Sequence, residues 1–286
     1  VRDGAVLADW EDAGFTELVT PLRPPTDERG ADRVTVWMRL PEGATLTTER
    51  GPDGPRLKMP TGAEVDRVEL HDDGVAVRVE DVRGTEFLDG REEFHVIVRA
   101  EGGLRGFAWD RADAAAQAAV DRELGSLVGP ARSRRLVGFN QCASCHQPAR
   151  PAATSVGSGP HRPTDASGLY HVQAVLAEEL PLERNRPVDA NLDDPHFSAR
   201  CLSGESPSVR ASKGTRHLEC PAGEVVWGRY AVAEALAAGA PHASAVCASR
   251  RYLFEHLDDE GRAAFSSAFV ACGISTPRAS SDQQKE

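Results

Sequence analysis

From Arg33 onward apolar and polar residues alternate. Val34, Val36, Met38 and Leu40 fall on one parity, and Thr35, Trp37 and Arg39 on the other. A period of two is the signature of a half-buried strand. Pro41-Glu42-Gly43 turns the chain, and Gly51-Pro52-Asp53-Gly54-Pro55 turns it again. Further strand-like runs cover 63–71, 74–82, 93–99 and 103–109, split by Asp72-Asp73-Gly74, Asp89-Gly90 and Gly102-Gly103. Asp-Gly and Gly-Gly accept the positive φ that tight hairpin turns demand. Residues 30–109 are therefore expected to form an antiparallel meander of about five or six strands. Ahead of it, Asp9-Trp10-Glu11-Asp12 reads as a helix start or cap, and Pro21, Pro24 and Pro25 break any regular element.

At Asp110 the pattern changes. Ala112 to Leu127 is Ala-rich with interspersed acids, a good helix that Gly129-Pro130 ends. Pro148 to Pro163 reads as an irregular surface loop, and Asp165 caps a helix running to about Leu180. Residues 181–224, rich in Pro, Gly, Ser and Arg, read as a long loop, followed by helical segments at 225–238, 242–257 and 258–272. Leu257-Asp258-Asp259-Glu260 reads as a cap with acids at a helix N-terminus. The expected class is α+β: an antiparallel β domain at 1–110, a mainly helical domain at 111–276 and a polar tail at 277–286.

Composition narrows the partners. The 286 residues carry 44 acidic and 33 basic side chains, a net charge of −11. That field repels a phosphate backbone, which argues against nucleic acid, and suits a docking partner with a basic face. No run reaches the roughly 20 apolar residues of a membrane-spanning helix, so no membrane span is expected. The six cysteines divide into Cys142 and Cys145, two residues apart, and the isolated Cys201, Cys220, Cys247 and Cys272. The isolated four allow three pairings. The most local is Cys201–Cys220 with Cys247–Cys272, each closing a loop whose entropy is worth about 3 kcal/mol. Four buried free thiols are the alternative. Disulfides imply an oxidising compartment. The chain opens at Val1 with neither a charged stretch nor an apolar run, and is read as a mature periplasmic or secreted bacterial product whose export signal has been removed.

Cys142-Ala143-Ser144-Cys145-His146 is the sharpest motif. In C-x-x-C-H, two thiols at this spacing reach the two vinyl groups of one porphyrin as thioethers, and the adjacent His is held beneath the iron. Cys142 and Cys145 are thus the candidate attachment points of one covalent haem c, and His146 the candidate proximal ligand. A thioredoxin-like pair would want a helix after the motif, where Gln147-Pro148-Ala149-Arg150-Pro151 stands instead. A zinc site would want a second close Cys/His pair, and a plain disulfide is the third alternative.

The segment Phe139-Asn140-Gln141-Cys142-Ala143-Ser144-Cys145-His146 resembles the haem segment of bacterial c-type cytochromes over about ten residues. The resemblance implies covalent attachment of one haem, which makes the mainly helical region at 111–276 the expected haem c-binding domain. Small members of that family place a distal Met after the motif, whereas this chain has no Met after Met59. The order of parts, a β-rich region and then C-x-x-C-H, is similar to that of hydroxylamine-oxidising lysyl-haem and gas-binding β-sheet cytochromes. The stretch Met59-Pro60-Thr61-Gly62-Ala63-Glu64-Val65-Asp66-Arg67-Val68 resembles their Pro-x-Gly turn into a strand. That similarity implies a haem packed against an antiparallel sheet. Where the pattern would offer a cross-linking lysine, this chain has Asp66-Arg67, and the nearest lysine is Lys58.

Candidates for the sixth iron ligand are Met59, in a Met-Pro pair typical of distal-ligand loops, and a downstream histidine such as His161, His171 or His217. His196, His242 and His256 lie further along, His71 and His95 in the β region, and an open position is the remaining alternative. Arg132, Arg134 and Arg135 are candidate partners of haem propionates. The expected function is one-electron transfer with a redox partner protein, including a membrane-bound respiratory complex. Its rivals are an open-site haem enzyme or sensor for a small nitrogen or oxygen ligand, and a haem-bearing docking subunit of a larger redox complex.

Overall fold

A computed structural model describes residues 7–22, 33–51, 54–72, 74–75, 77–137, 167–182, 189–212, 214–224 and 226–275. A short helix α1 (Leu7–Asp12) leads into strand β1 (Thr16–Leu18). Then come β2 (Arg33–Arg39), β3 (Thr47–Gly51), β4 (Gly54–Lys58), β5 (Glu64–Asp72), β6 (Val77–Leu88), β7 (Arg91–Ala100) and β8 (Gly103–Asp110). Six of these form one antiparallel sheet in the order β1-β2-β5-β6-β7-β8, while β3 and β4 form their own hairpin. The expected meander is borne out. Its turns use Gly43, Gly90, Gly102 and Gly103 at positive φ, where a side chain would clash with the backbone.

Both faces of the sheet are covered, which explains why β6 is buried along most of its length rather than alternating. On one face Trp10 of α1 and Phe15 pack with Trp37, Val68, Leu70, Val79, Val82 and Leu104. On the other, β7 and β8 lie under α2 (Ala114–Val128) and α3 (Pro130–Val137): Phe94, Val96, Val98 and Trp109 meet Leu124, Leu136 and Val137. Asp113 caps α2, its carboxylate accepting from the Ala115 and Ala116 amides at 2.9 Å.

The C-terminal half contributes helices α4 (Ser167–Leu176), α5 (Asp189–Leu192), α6 (Val232–Ala237), α7 (Pro241–His256), α8 (Asp259–Ala264) and α9 (Ser266–Val270). In α7, Ala243, Val246, Arg250 and Leu253 are buried at three- and four-residue spacing, one stripe of the helix. A large core cluster joins the two halves: Val36, Met38, Val65 and Phe87 pack with Val172 and Val175 of α4, Leu253 of α7, and Phe269 of α9. Leu46 adds a backbone tie, its amide donating to the His256 carbonyl at 2.7 Å and its carbonyl accepting from Asp258 at 3.0 Å.

Two expectations for this half are corrected. Residues 181–224 are not one loop: β9 (Glu179–Leu182), β10 (Phe197–Cys201), β11 (Ser208–Ser212) and β12 (Thr215–Glu219) run through or into them. The start of the segment read as helix 225–238 is strand β13 (Val226–Tyr230), pairing with β10 and β9. Gly228 is the reason this short strand packs: a Cβ there would stand 2.8 Å from the Phe197 ring. The expected α4 is shorter, ending at Leu176. Asp165, the loop 148–163 and the tail 277–286 lie outside the described residues.

Both expected disulfides form, Cys201–Cys220 and Cys247–Cys272. The first ties the end of β10 to the chain leaving β12, and the second ties α7 to the chain leaving α9. Two disulfides fit an extracytoplasmic, oxidising compartment. No helix among the described residues is long and apolar enough to cross a membrane.

Candidate functional site

Cys142, Cys145 and His146 lie outside the described residues, as does His161. The chain leaves the described fold at Val137, five positions before Cys142, from a helix packed on the sheet. As a donor set, two thiols and a histidine in C-x-x-C-H order are the groups that covalent haem attachment requires.

The sheet itself assembles a second group of chemically active side chains. Glu64 and Asp66 are two residues apart on β5, so both project to the same face. In register, Asp66 stands opposite Gly84 of β6, and Gly84 opposite His95 of β7. The middle strand thus contributes no side chain at this level, and His95 reaches across it: its Nε2 lies 2.7 Å from Asp66 Oδ1 and 3.7 Å from Glu64 Oε1. A Cβ on Gly84 would sit 2.0 Å from His95 Nε2 and 2.2 Å from Asp66 Oδ1. The glycine is what lets the three side chains meet.

The outer oxygens of both carboxylates are held from the other side. Trp10 Nε1 of α1 donates to Asp66 Oδ2 at 2.8 Å, a buried bond between residues 56 positions apart. Arg39 donates to Glu64 Oε2 at 2.6 Å, and its guanidinium also lies over the Phe15 ring at 5.1 Å. Asp66 is 2% exposed, whereas the side chains of Glu64 and His95 retain 16% and 15% exposure, a narrow opening to solvent. Burial works against a charged His95. The hydrogen bond and charge of Asp66, with Glu64 and Glu86 behind it, outweigh that cost and raise the imidazole above its ordinary pKa.

A second charged group occupies the opposite face. Arg67 pairs with Glu69 at 3.1 Å, and Arg83 with Glu69 and Asp81 at 3.2 and 3.1 Å. Arg132 of α3 joins through Glu80 at 2.8 Å. Three guanidiniums meet three carboxylates, so the charges cancel locally, as burial requires. Arg132 is accordingly committed to Glu80, and any propionate would have to compete for it. Arg134 is exposed, and the Arg135 side chain lies outside the described residues.

The remaining sixth-ligand candidates are spread out. Met59 is buried in the large core cluster, as is Met38, which accounts for both methionines of the chain. His171 lies on α4, His217 on β12 opposite Arg210, and His71 on β5 opposite Arg78. His196 and His242 flank Tyr230 edge-on at 6.4 and 5.5 Å. His256 Nδ1 is 2.8 Å from the Tyr252 carbonyl oxygen. By sequence alone, His95 is one histidine of the β region, and Asp66 stands where the resembling pattern has a lysine. A glycine inside an otherwise β-forming run was the available signal that something approaches closely there. The predicted cap is in place: Asp258 Oδ1 accepts from the Gly261 amide at 2.7 Å, with Asp259 and Glu260 in the first turn of α8.

No family model matches the chain, and neither does any curated protein or solved structure. The functional reading therefore rests on the chain's own residues.

Proposed function

We propose that this chain is an exported monohaem c-type cytochrome that transfers single electrons, with Cys142 and Cys145 as its thioether anchors and His146 as its proximal ligand. The observation that carries the reading is the sequence Cys142-Ala143-Ser144-Cys145-His146 itself. Three donors in this order are far more specific than a lone Cys pair. The disulfides support it, because covalent haem attachment and disulfide formation belong to the same side of the membrane. Bound there, haem supplies an iron that cycles between two oxidation states, with axial ligands and burial setting its potential. The net charge of −11 favours a redox partner with a basic docking face, in the periplasm or on a membrane-bound respiratory complex.

A second reading is favoured by the packing of the methionines. With Met38 and Met59 both packed in the core, we favour a histidine or an open position over Met59 as the sixth ligand, and an open position would make the protein an enzyme or sensor for a small nitrogen or oxygen ligand. Absorption spectra of the oxidised and reduced holoprotein, with and without carbon monoxide, separate the two. A sharp reduced spectrum that the gas leaves unchanged is expected for the electron carrier. A high-spin spectrum that shifts with the gas would overturn that role in favour of the open site.

A further inference from the structure

The geometry points to a divalent transition-metal site on the N-terminal sheet, formed by Glu64, Asp66 and His95, for an ion of the size and ligand taste of Zn²⁺. It is independent of the haem. The three ligand atoms, Glu64 Oε1, Asp66 Oδ1 and His95 Nε2, all lie within 4.8 Å of one another. A tetrahedral ion with bonds of about 2.0–2.2 Å needs ligand atoms roughly 3.3–3.6 Å apart. The separations from Nε2, 2.7 and 3.7 Å, straddle that spacing, so sub-ångström changes in these two distances would meet it. The ligand types, one imidazole and two carboxylates, are those of zinc and its first-row neighbours rather than of calcium.

Two features separate this group from a chance ion pair. Each carboxylate turns one oxygen toward His95 and has its other oxygen fixed by a donor, Trp10 for Asp66 and Arg39 for Glu64. That is the outer-shell arrangement that orients metal ligands. The middle strand also carries glycine at the one register position where a side chain would block convergence. Glu86, opposite Glu64 across β5 and β6, adds a third carboxylate beside the two ligands. A cation there would replace the proton that now bridges His95 and Asp66, and the partial exposure of Glu64 and His95 provides its route from solvent.

The test is titration of the full-length protein with Zn²⁺ by calorimetry, after removal of metals by chelation. Wild type should bind at a site that Glu64→Gln weakens at least tenfold and His95→Gln abolishes. Cys142→Ser/Cys145→Ser, which removes the two cysteines outside the disulfides, should leave it intact. Glu64→Gln keeps an acceptor for Arg39, so its far-UV circular dichroism should match wild type. A second measurement needs no substitution. Copper and ascorbate applied to wild-type protein should oxidise His95 ahead of the other histidines, and excess Zn²⁺ should protect it. Absence of zinc binding in the thiol-free protein, binding equal in Glu64→Gln and wild type, or no preferential oxidation of His95 would each overturn the assignment.

Discussion

Replacing Gly84 with alanine is the sharpest perturbation of the sheet that this structure suggests. The new methyl would stand 2.0 Å from His95 Nε2, 2.3 Å from His95 Cε1 and 2.2 Å from Asp66 Oδ1. These are well inside van der Waals contact. Neither neighbour can swing away cheaply: Asp66 is buried and anchored to Trp10, and His95 is mostly enclosed. The Asp66–His95 hydrogen bond must then break, worth about 1.5–3 kcal/mol for a bond with charged partners. Overpacking adds about 1–3 kcal/mol, and removing a strand glycine returns about 0.5–1 kcal/mol. A net loss of about 2–5 kcal/mol follows. Urea unfolding at pH 6 in a chelator, followed by tryptophan fluorescence and circular dichroism, would measure it. A double-mutant cycle adds a diagnostic. In Gly84→Ala/His95→Ala the two ring contacts vanish, so the pair should cost at least about 1 kcal/mol less than the sum of the single variants. A loss in Gly84→Ala below 1 kcal/mol, or strict additivity in the cycle, would refute the idea that this glycine exists to admit His95.

Three further outcomes follow from particular residues. Arg250 is almost wholly buried, and burial holds its pKa down to about 10 despite the nearby Glu178; its guanidinium donates to the Val175 carbonyl at 2.9 Å and the Ala268 carbonyl at 2.8 Å. Arg250→Met should therefore cost about 2–4 kcal/mol in urea unfolding by stripping donors from two carbonyls, and Arg250→Lys should not restore it, because one ammonium lacks the forked reach; full rescue by lysine would contradict the assignment. Removing either disulfide by Cys→Ala pairs should cost about 3 kcal/mol, and thiol titration of the denatured, unreduced protein should detect none of Cys201, Cys220, Cys247 and Cys272. His95 is expected to make stability depend on pH: with its folded pKa raised, its contribution is full below the unfolded value of about 6.5 and is lost as pH rises through the folded value. Asp66, Glu64 and Glu86 favour the charged ring and outweigh its burial, so the stability gap between wild type and His95→Gln should shrink from pH 5 to pH 9 in chelator; a gap that grows with pH would have the wrong sign.

The large sheet was legible because its strands alternate and its turns carry Asp-Gly or Gly-Gly, both local signals. The β3–β4 hairpin was legible only at its turn. Thr47 to Arg50 has no apolar alternation, since this hairpin is held partly through Gln173, whose side chain bonds the Leu57 amide and the Pro55 carbonyl. Strands β11 and β12 were missed for a similar reason: β11 is almost wholly exposed, so no apolar face marks it. In β13, Val226, Trp227 and Tyr230 have a spacing that fits a helix as well as a strand, and only pairing with β9 and β10 decides it. The disulfides were legible as the most local of three pairings. The Glu64–Asp66–His95 group was not, because it depends on the register of three strands, including a shift between Glu69 and Leu70. Gly84 lies just beyond the alternating run 74–82. Its meaning lies in what crosses above it, and local sequence does not encode that.

The central claim is covalent haem at Cys142 and Cys145, and the intact mass of the chain tests it most directly. The protein should be exported alongside a haem-ligation system and its mass measured after acid–acetone extraction, which removes non-covalent haem. The account predicts a mass increased by one haem, a single thioether link in Cys142→Ser or Cys145→Ser, and none in the double variant. A wild-type chain at its bare polypeptide mass after such maturation would contradict it.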